Sequence, residues 1–197
     1  CKEDSDAIVL DIPESGIVEE NLTLPTAGSN NSQIFWESAD DSVVEIVGNT
    51  AVLKLGETVK DAKITSTTKI NDFEVKREFT FKIPKHPDFV KLEEDVAAIV
   101  IETPAGGIFK ENFELPAVGA INGSTIAWES LDTDLIEVVD YVANIHRKDE
   151  NKTVKLVATV SFGDFTKERE FEVEIEEHDD HKKAKADVDA ISLEFST

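Results

Sequence analysis

The chain has 197 residues, of which 40% are apolar, enough to fill one large core or two small ones. Its net charge of −22 argues against nucleic acid and anionic lipid surfaces as partners, because like charges repel. The one cysteine excludes an intrachain disulfide, and no apolar run approaches the ~18 residues of a membrane span.

The chain opens with "CKEDSD" and contains no methionine. This start resembles that of a bacterial lipoprotein after removal of its leader, with Cys1 as the lipidated residue, and Lys2-Glu3-Asp4 resembles the signals that direct such lipoproteins to the cell surface. We therefore predict that residues 1–5 form a lipid-anchored tether, on the bacterial surface at the outer membrane. The alternative is an arbitrary start that happens to leave a cysteine.

Two long stretches of the sequence repeat. "PESGIVEENLTLPTAG" from Pro13 returns 91 residues later as "PAGGIFKENFELPAVG", and Trp36 meets Trp128 after one further residue in a loop. "NDFEVKREFTFKI" from Asn71 likewise matches "GDFTKEREFEVEI" from Gly163. The chain is therefore a tandem duplication.

Each repeat consists of short alternating runs separated by turn residues. Val154, Leu156, Ala158 and Val160 form a period-2 apolar face, for example. About seven such runs in roughly 90 residues predict an all-β fold of two tandem β-sandwiches. Runs such as Ile8 to Ile12 are predicted to be the first strand of each copy.

The two tryptophans fall in the third predicted strand of each copy, in phase with a buried isoleucine two residues earlier. We predict that Trp36 and Trp128 are equivalent structural core residues. Exposed platforms for stacking sugars are the alternative.

The combined pattern resembles the bacterial immunoglobulin-like domains, and most closely the atrophied Big type. It consists of an "AI" strand, "L-P", "W-E-S" followed by acidic residues, and a final "F-x-V-x-I" strand. The resemblance implies two tandem immunoglobulin-like domains, at residues 6–84 and 95–176, with linkers at 85–94 and 177–186. It supplies no catalytic residues to carry over.

The end of the chain matches the start of each copy. "VDAISLEF" from Val188 aligns with "SDAIVLDI" and "VAAIVIET". Residues 187–197 are therefore predicted to begin a third repeat with its first strand. Free, such a strand would expose an apolar face and unpaired backbone groups, so it is expected to dock on another part of the molecule or on a partner.

Two places in the sequence contain residue types that can bind metal ions. The second linker contains His178, Asp179, Asp180 and His181, which are ligand types, but nothing in their spacing makes them converge. Calcium between the domains is a second alternative, suggested by Asp40–Asp41 and Glu93–Asp95. We predict no metal site and no cofactor.

No catalytic motif is present, so the predicted function is non-enzymatic. The chain is expected to act as a spacer or stalk of a surface lipoprotein, or as an adhesion and interaction module with a protein or glycan partner. One alternative is an ancillary region of a polysaccharide-degrading enzyme or uptake complex. Another is a structural subunit that assembles by strand addition.

Overall fold

The computed structural model describes residues 1–194 of the chain and divides into two compact units, Cys1–Phe89 and Val90–Thr197. The first unit contains one short helix and six strands: α1 (Lys2–Asp6), β1 (Leu22–Thr23), β2 (Gln33–Ser38), β3 (Val44–Val47), β4 (Thr50–Leu53), β5 (Lys60–Ile70) and β6 (Phe73–Ile83). They form two three-stranded sheets, ordered β1-β4-β3 and β2-β5-β6.

The second set of elements repeats the first. It comprises α2 (Pro87–Ala98), β7 (Ile108–Phe109), β8 (Phe113–Glu114), β9 (Thr125–Ser130), β10 (Ile136–Val139), β11 (Val142–Ile145), β12 (Lys152–Phe162), β13 (Phe165–Ile175) and α3 (Asp179–Glu194). Its sheets are ordered β10-β11-β8 and β7-β13-β12-β9, with β7 parallel to β13 and every other pair antiparallel.

The core of each unit lies between its two sheets. In the first unit, Val44 and Leu53 of one sheet and Ile64, Phe79 and Phe81 of the other belong to one buried cluster. The second unit has an equivalent cluster that joins its two sheets. The predicted all-β architecture of two tandem immunoglobulin-like sandwiches is therefore confirmed, with alternating residues facing inward.

Tight turns set the register of the long hairpins. Two residues join β5 to β6 and two join β12 to β13; the first of them is Asn71 in one copy and Gly163 in the other. Both have a left-handed backbone, with φ of 52° and 58°. Asparagine and glycine tolerate this conformation best, so the turn residues favour these hairpins.

The predicted first strands differ from the structure. Residues 8–12 alternate between buried and exposed, with Ile8 4% and Val9 84% exposed, yet they are assigned to no strand. Part of the reason is a local turn, because the backbone N–H of Ile12 donates to the carbonyl of Leu10 rather than to a neighbouring strand. The side chains of Ile8 and Leu10 therefore lie in the core, although their backbone does not extend a sheet.

Helices replace the predicted tether and linkers. Within residues 1–5, Lys2 to Ser5 belong to α1, and Asp4 and Ser5 are buried, so this segment is packed on the sandwich. Residues 87–94 of the predicted linker belong to α2. Residues 179–186 of the second predicted linker belong to α3.

The strand predicted for the start of a third repeat is also corrected. Residues 188–194 continue helix α3, while residues 195–197 lie outside the described residues. Ile191 and Leu193, whose alternation predicts a strand, lie within this helix, which runs without a break from Asp179. Among the described residues, no helix is both long and apolar enough to cross a membrane.

Candidate functional site: an aspartate clamp in each unit

The two tryptophans occupy equivalent places at the edge of each core. Each is partly buried, and its indole N–H donates to a proline carbonyl 2.8 Å away: Pro25 for Trp36 and Pro116 for Trp128. Each ring also packs on a phenylalanine, with centroids 5.4 Å apart for Trp36–Phe79 and 5.3 Å for Trp128–Phe171. These contacts are those of structural side chains at the rim of the core.

Asp95 is a fully buried carboxylate near the end of α2. Its Oδ1 accepts hydrogen bonds from the backbone N–H groups of Ile121 and Asn122, both at 2.9 Å. Its Oδ2 accepts from the backbone N–H of Ser124 at 2.9 Å and from the Ser124 hydroxyl at 2.5 Å. Four donors of one loop therefore fasten the helix to the sandwich.

Asp4 of α1 makes the same connection in the first unit and is 3% exposed. Its Oδ1 accepts from the Asn30 backbone N–H at 3.0 Å, from the Asn30 side-chain amide at 2.7 Å and from the Ser29 hydroxyl at 3.2 Å. Its Oδ2 accepts from the Ser32 hydroxyl at 2.6 Å. We call this arrangement of a helix aspartate and the loop that donates to it the aspartate clamp.

Both carboxylates are held in the charged form. Burial by itself raises the pKa of Asp95, but the hydrogen bonds from Ser124, Asn122 and Ile121 outweigh it and lower the pKa to about 2. The hydrogen bond from Ser32 is the main cause that lowers the pKa of Asp4 well below its usual range, and burial opposes it. A negative charge with no cationic partner in the clamp is thus stabilised by N–H and O–H dipoles.

A glycine lets each carboxylate approach the loop. A Cβ at Gly119 would lie 2.3 Å from Cγ of Asp95, and a Cβ at Gly28 would lie 2.4 Å from Cγ of Asp4. Real Cβ atoms do not come this close to other heavy atoms, so any larger residue would displace the carboxylate. The two glycines therefore belong to the clamp.

An arginine binds the C-terminal end of each helix, just after the clamp aspartate. One guanidinium nitrogen of Arg169 donates to the carbonyls of Val96 at 2.7 Å, Ala97 at 3.1 Å and Ile99 at 3.3 Å. Arg77 does the same to the carbonyls at the end of α1. Because the last carbonyls of a helix lack intrahelical partners, this cation satisfies them and complements the helix dipole.

The same arginines also stack on the rim of the core. Arg77 lies 4.7 Å from the ring centroid of Phe79, and Arg169 lies 4.6 Å from that of Phe171. These are the phenylalanines that pack on Trp36 and Trp128. The helix end and the tryptophan are thus connected through one cation–π contact in each unit.

The profile of the atrophied bacterial Ig domain matches the chain twice, over residues 3–86 and 93–178. The chain belongs to the atrophied bacterial Ig domain family. Both matches reach into the helices, and the first includes Asp4, so the helix that carries the clamp aspartate is part of the atrophied Ig domain.

A similar curated protein is an alpha-L-arabinofuranosidase of Bifidobacterium longum subsp. longum, 27% identical over 154 residues. The match covers 72% of this chain and 13% of that protein's length. Two crystal forms of human protocadherin-24 EC1-2 are similar at TM-scores of 0.31 and 0.28, with 14% and 11% identity. They cover 86% and 77% of this chain and 91% and 85% of theirs, and at these scores the likeness carries no argument.

Two of the four carboxylates suggested as calcium ligands, Asp40 and Asp95, accept hydrogen bonds from their own domain. Both oxygens of Asp95 accept hydrogen bonds from N–H and O–H groups of the loop. A cation could not replace these donors. Asp40 accepts from the backbone N–H and the hydroxyl of Ser42 within its own turn. Among residues 1–194, no three His, Cys, Asp or Glu side chains are grouped so that they could hold a metal ion.

The second predicted linker forms ion pairs at the start of α3. Arg147 donates to Asp179 at 2.8 Å, to Glu176 at 3.3 Å and to the carbonyl of Glu177 at 2.5 Å. Lys182 also pairs with Glu176, and Lys185 lies 2.8 Å from Glu177. The polar residues of this joint therefore fix the start of the helix.

Proposed function

We propose that this chain is a non-catalytic spacer of tandem atrophied Ig domains that presents another domain or a ligand away from the bacterial surface. The observation that carries the proposal is the repeated clamp. Each sandwich is fastened to a helix through four loop hydrogen bonds, and α2 begins only four residues after β6 ends at Ile83. A module whose first helix follows so soon after the preceding strand is well suited to being repeated in series.

A lipid at Cys1 is part of this proposal. The cysteine caps the start of α1, and its thiol is partly exposed, with Sγ 3.1 Å from the carbonyl of Thr68. A lipid attached to Cys1 would extend directly from the surface of the first domain. No long flexible segment would separate the lipid from the sandwich. Mass spectrometry of the N-terminal peptide from the native host tests this: an acylated Cys1 is expected, and an unmodified one contradicts the anchor.

Surface display tests the spacer role. An epitope tag is placed after residue 197 of the native lipoprotein, and antibody labelling of intact cells is compared for chains with neither, one or both domains. Labelling should increase with the number of domains and should survive replacement of both by unrelated sandwiches of similar size. Labelling that does not depend on domain number, or that unrelated sandwiches abolish, contradicts a spacer and favours a specific interaction.

A second candidate function is an ancillary region of a polysaccharide-degrading enzyme. What favours it is the likeness to a segment of the arabinofuranosidase, of which the chain would span only 13%. The chain alone should not hydrolyse an aryl α-L-arabinofuranoside. Binding of the 197-residue chain to arabinose-containing polysaccharides, measured by affinity electrophoresis, would support this candidate over the spacer.

A further inference from the structure

Helix α3 starts in the same way as α2. It begins 92 residues after α2, and in both cases three residues separate it from the preceding strand. The backbone N–H of His86 donates to the Gly56 carbonyl at 2.7 Å, and that of His178 donates to the Lys148 carbonyl at 2.7 Å. The ring Nδ1 of each histidine accepts from the backbone N–H two residues on, at 3.2 and 3.3 Å. The two helices are therefore structural equivalents.

Part of the buried face of α2 recurs in α3, although the buried Phe89 and Leu92 are replaced by His181 and Ala184. Leu92, Asp95, Val96 and Ile99 follow the spacing of one helical face and are all buried. The residues 92 positions later are Ala184, Asp187, Val188 and Ile191, and all four are exposed. The carboxylate of Asp187 stands where α2 carries the clamp aspartate.

We propose that this face of α3 is a docking surface for a third atrophied Ig domain that follows in the same polypeptide, with Asp187 as its clamp aspartate. The partner surface is defined by chemistry already seen twice in this chain. It is a loop with a glycine at the contact, at least one backbone N–H donor and a serine hydroxyl, together with an arginine that reaches the end of the helix. The proposal rests on the modular organisation and not on the spacer role.

The negative charge of the chain and the occupied clamp loops of its two domains favour this partner over others. Asp187 and Asp189 together with a net charge of −22 disfavour a lipid surface. A second copy of this chain offers no vacant clamp, because Asp4 and Asp95 already fill the loops of its two domains. An apolar face with a central carboxylate fits a surface that supplies both apolar contact and hydrogen-bond donors.

Exchanging helices within the full chain tests the proposal. Residues 87–98 are replaced by the sequence of residues 179–190, so that the α3 sequence must open the second domain. We expect β12 and β13 to remain protected in amide hydrogen exchange. In that chain, alanine in place of the aspartate brought from position 187 should lower the protection at least tenfold. Alanine in place of the aspartate brought from position 189, whose α2 counterpart Ala97 is exposed, should change it less than twofold.

A companion variant separates clamp failure from a packing defect. Ala184 and His181 do not supply the volume of the buried Leu92 and Phe89, so the exchanged chain is also made with leucine and phenylalanine restored at those two positions. Loss of β12 and β13 protection in this restored variant overturns the proposal, as does equal sensitivity to the two aspartates. Sedimentation of the natural 197-residue chain tests the occupant: a dimer that Asp187→Ala abolishes would overturn the in-chain domain in favour of a second copy. Neither readout depends on surface display, so failure here is distinguishable from failure of the spacer role.

Discussion

The carboxylate of Asp95 in α2 fills the space that a side chain at Gly119 would need. A Cβ at Gly119 would lie 2.3 Å from Cγ and 2.4 Å from Oδ2 of Asp95. This close approach places the carboxylate within reach of its four donors. The glycine is therefore required by contact and not by its backbone angles.

Gly119→Ala should destabilise the second domain by about 2–3 kcal/mol, as overpacking of a closed site does. The free energy of unfolding is measured from hydrogen exchange of the β12 and β13 amides. Gly56→Ala is the matched control, read from the β5 and β6 amides of its own domain, because a Cβ there meets only Lys60 at 3.7 Å, an ordinary contact distance. Equal effects of the two substitutions would show that the space beside Asp95 is not limiting.

Asp95→Asn should lower the stability of the second domain by about 3 kcal/mol. The amide NH2 would face the N–H and O–H donors of Ser124, so buried donors lose their acceptor. Glu94→Gln is the control, because residue 94 is next to Asp95 but exposed. The glutamine would keep one side-chain oxygen that can accept the hydrogen bond from the Asn122 amide. If both variants unfold at the same urea concentration, the clamp contributes nothing beyond a surface carboxylate.

The clamp should also make stability depend on pH. The folded pKa of Asp95, about 2, lies below the ~3.9 of an unfolded aspartate, so its stabilising contribution is present above pH ~5 and is lost as the pH falls toward 2. The lowered pKa of Asp4 acts in the same direction in the first domain. The difference in unfolding free energy between the native chain and Asp95→Asn should therefore shrink from pH 5 to pH 3. A difference that stays constant over this range would contradict a charged clamp.

The sandwich could be predicted from the sequence because its signals are local and repeated. Alternation in β12 and the left-handed residues Asn71 and Gly163 each favour one hairpin, and the duplication shows them twice. The equivalence of Trp36 and Trp128 is visible in the same alignment. The proline carbonyls that receive their N–H groups are not, because a hydrogen bond across a loop has no sequence period.

The helices were missed although their pattern is present. Leu92, Val96 and Ile99 recur at helical spacing, but the prolines at 84 and 87 favour the linker predicted at residues 85–94. Proline at the first helical position is in fact favourable, since its missing N–H has no partner there in any case. The clamp aspartates could have been found by aligning Asp4 with Asp95 at the same 91-residue offset as Gly28 with Gly119. What the alignment could not supply is the 2.3 Å approach that explains the pairing.

Arg77→Ala should destabilise the first domain by about 2 kcal/mol, because three carbonyls at the end of α1 lose a charged donor. Arg77→Lys should recover only part of the loss, since an ammonium lacks the planar face that stacks on Phe79. Hydrogen exchange of β5 and β6 amides provides the measurement, with exposed Lys76→Ala as the control. Full recovery with lysine would mean that charge alone carries the effect.

The two domains carry different residues at one pair of matched buried positions that bears on polarity, and this difference predicts substitutions of opposite sign. Thr68 in β5 and Val160 in β12 are structural equivalents, and both are fully buried. The hydroxyl of Thr68 has no hydrogen-bond partner among the described residues. Valine has nearly the same shape without this polar group, so Thr68→Val should stabilise the first domain by about 1 kcal/mol.

The reverse change supplies the control in the same chain. Val160→Thr would place a hydroxyl at a fully buried position and should destabilise the second domain by about 1–3 kcal/mol. Both values follow from hydrogen exchange resolved to the β5 and β12 amides of each variant. A loss of stability with Thr68→Val would show instead that the hydroxyl finds a partner in solution, such as a buried water.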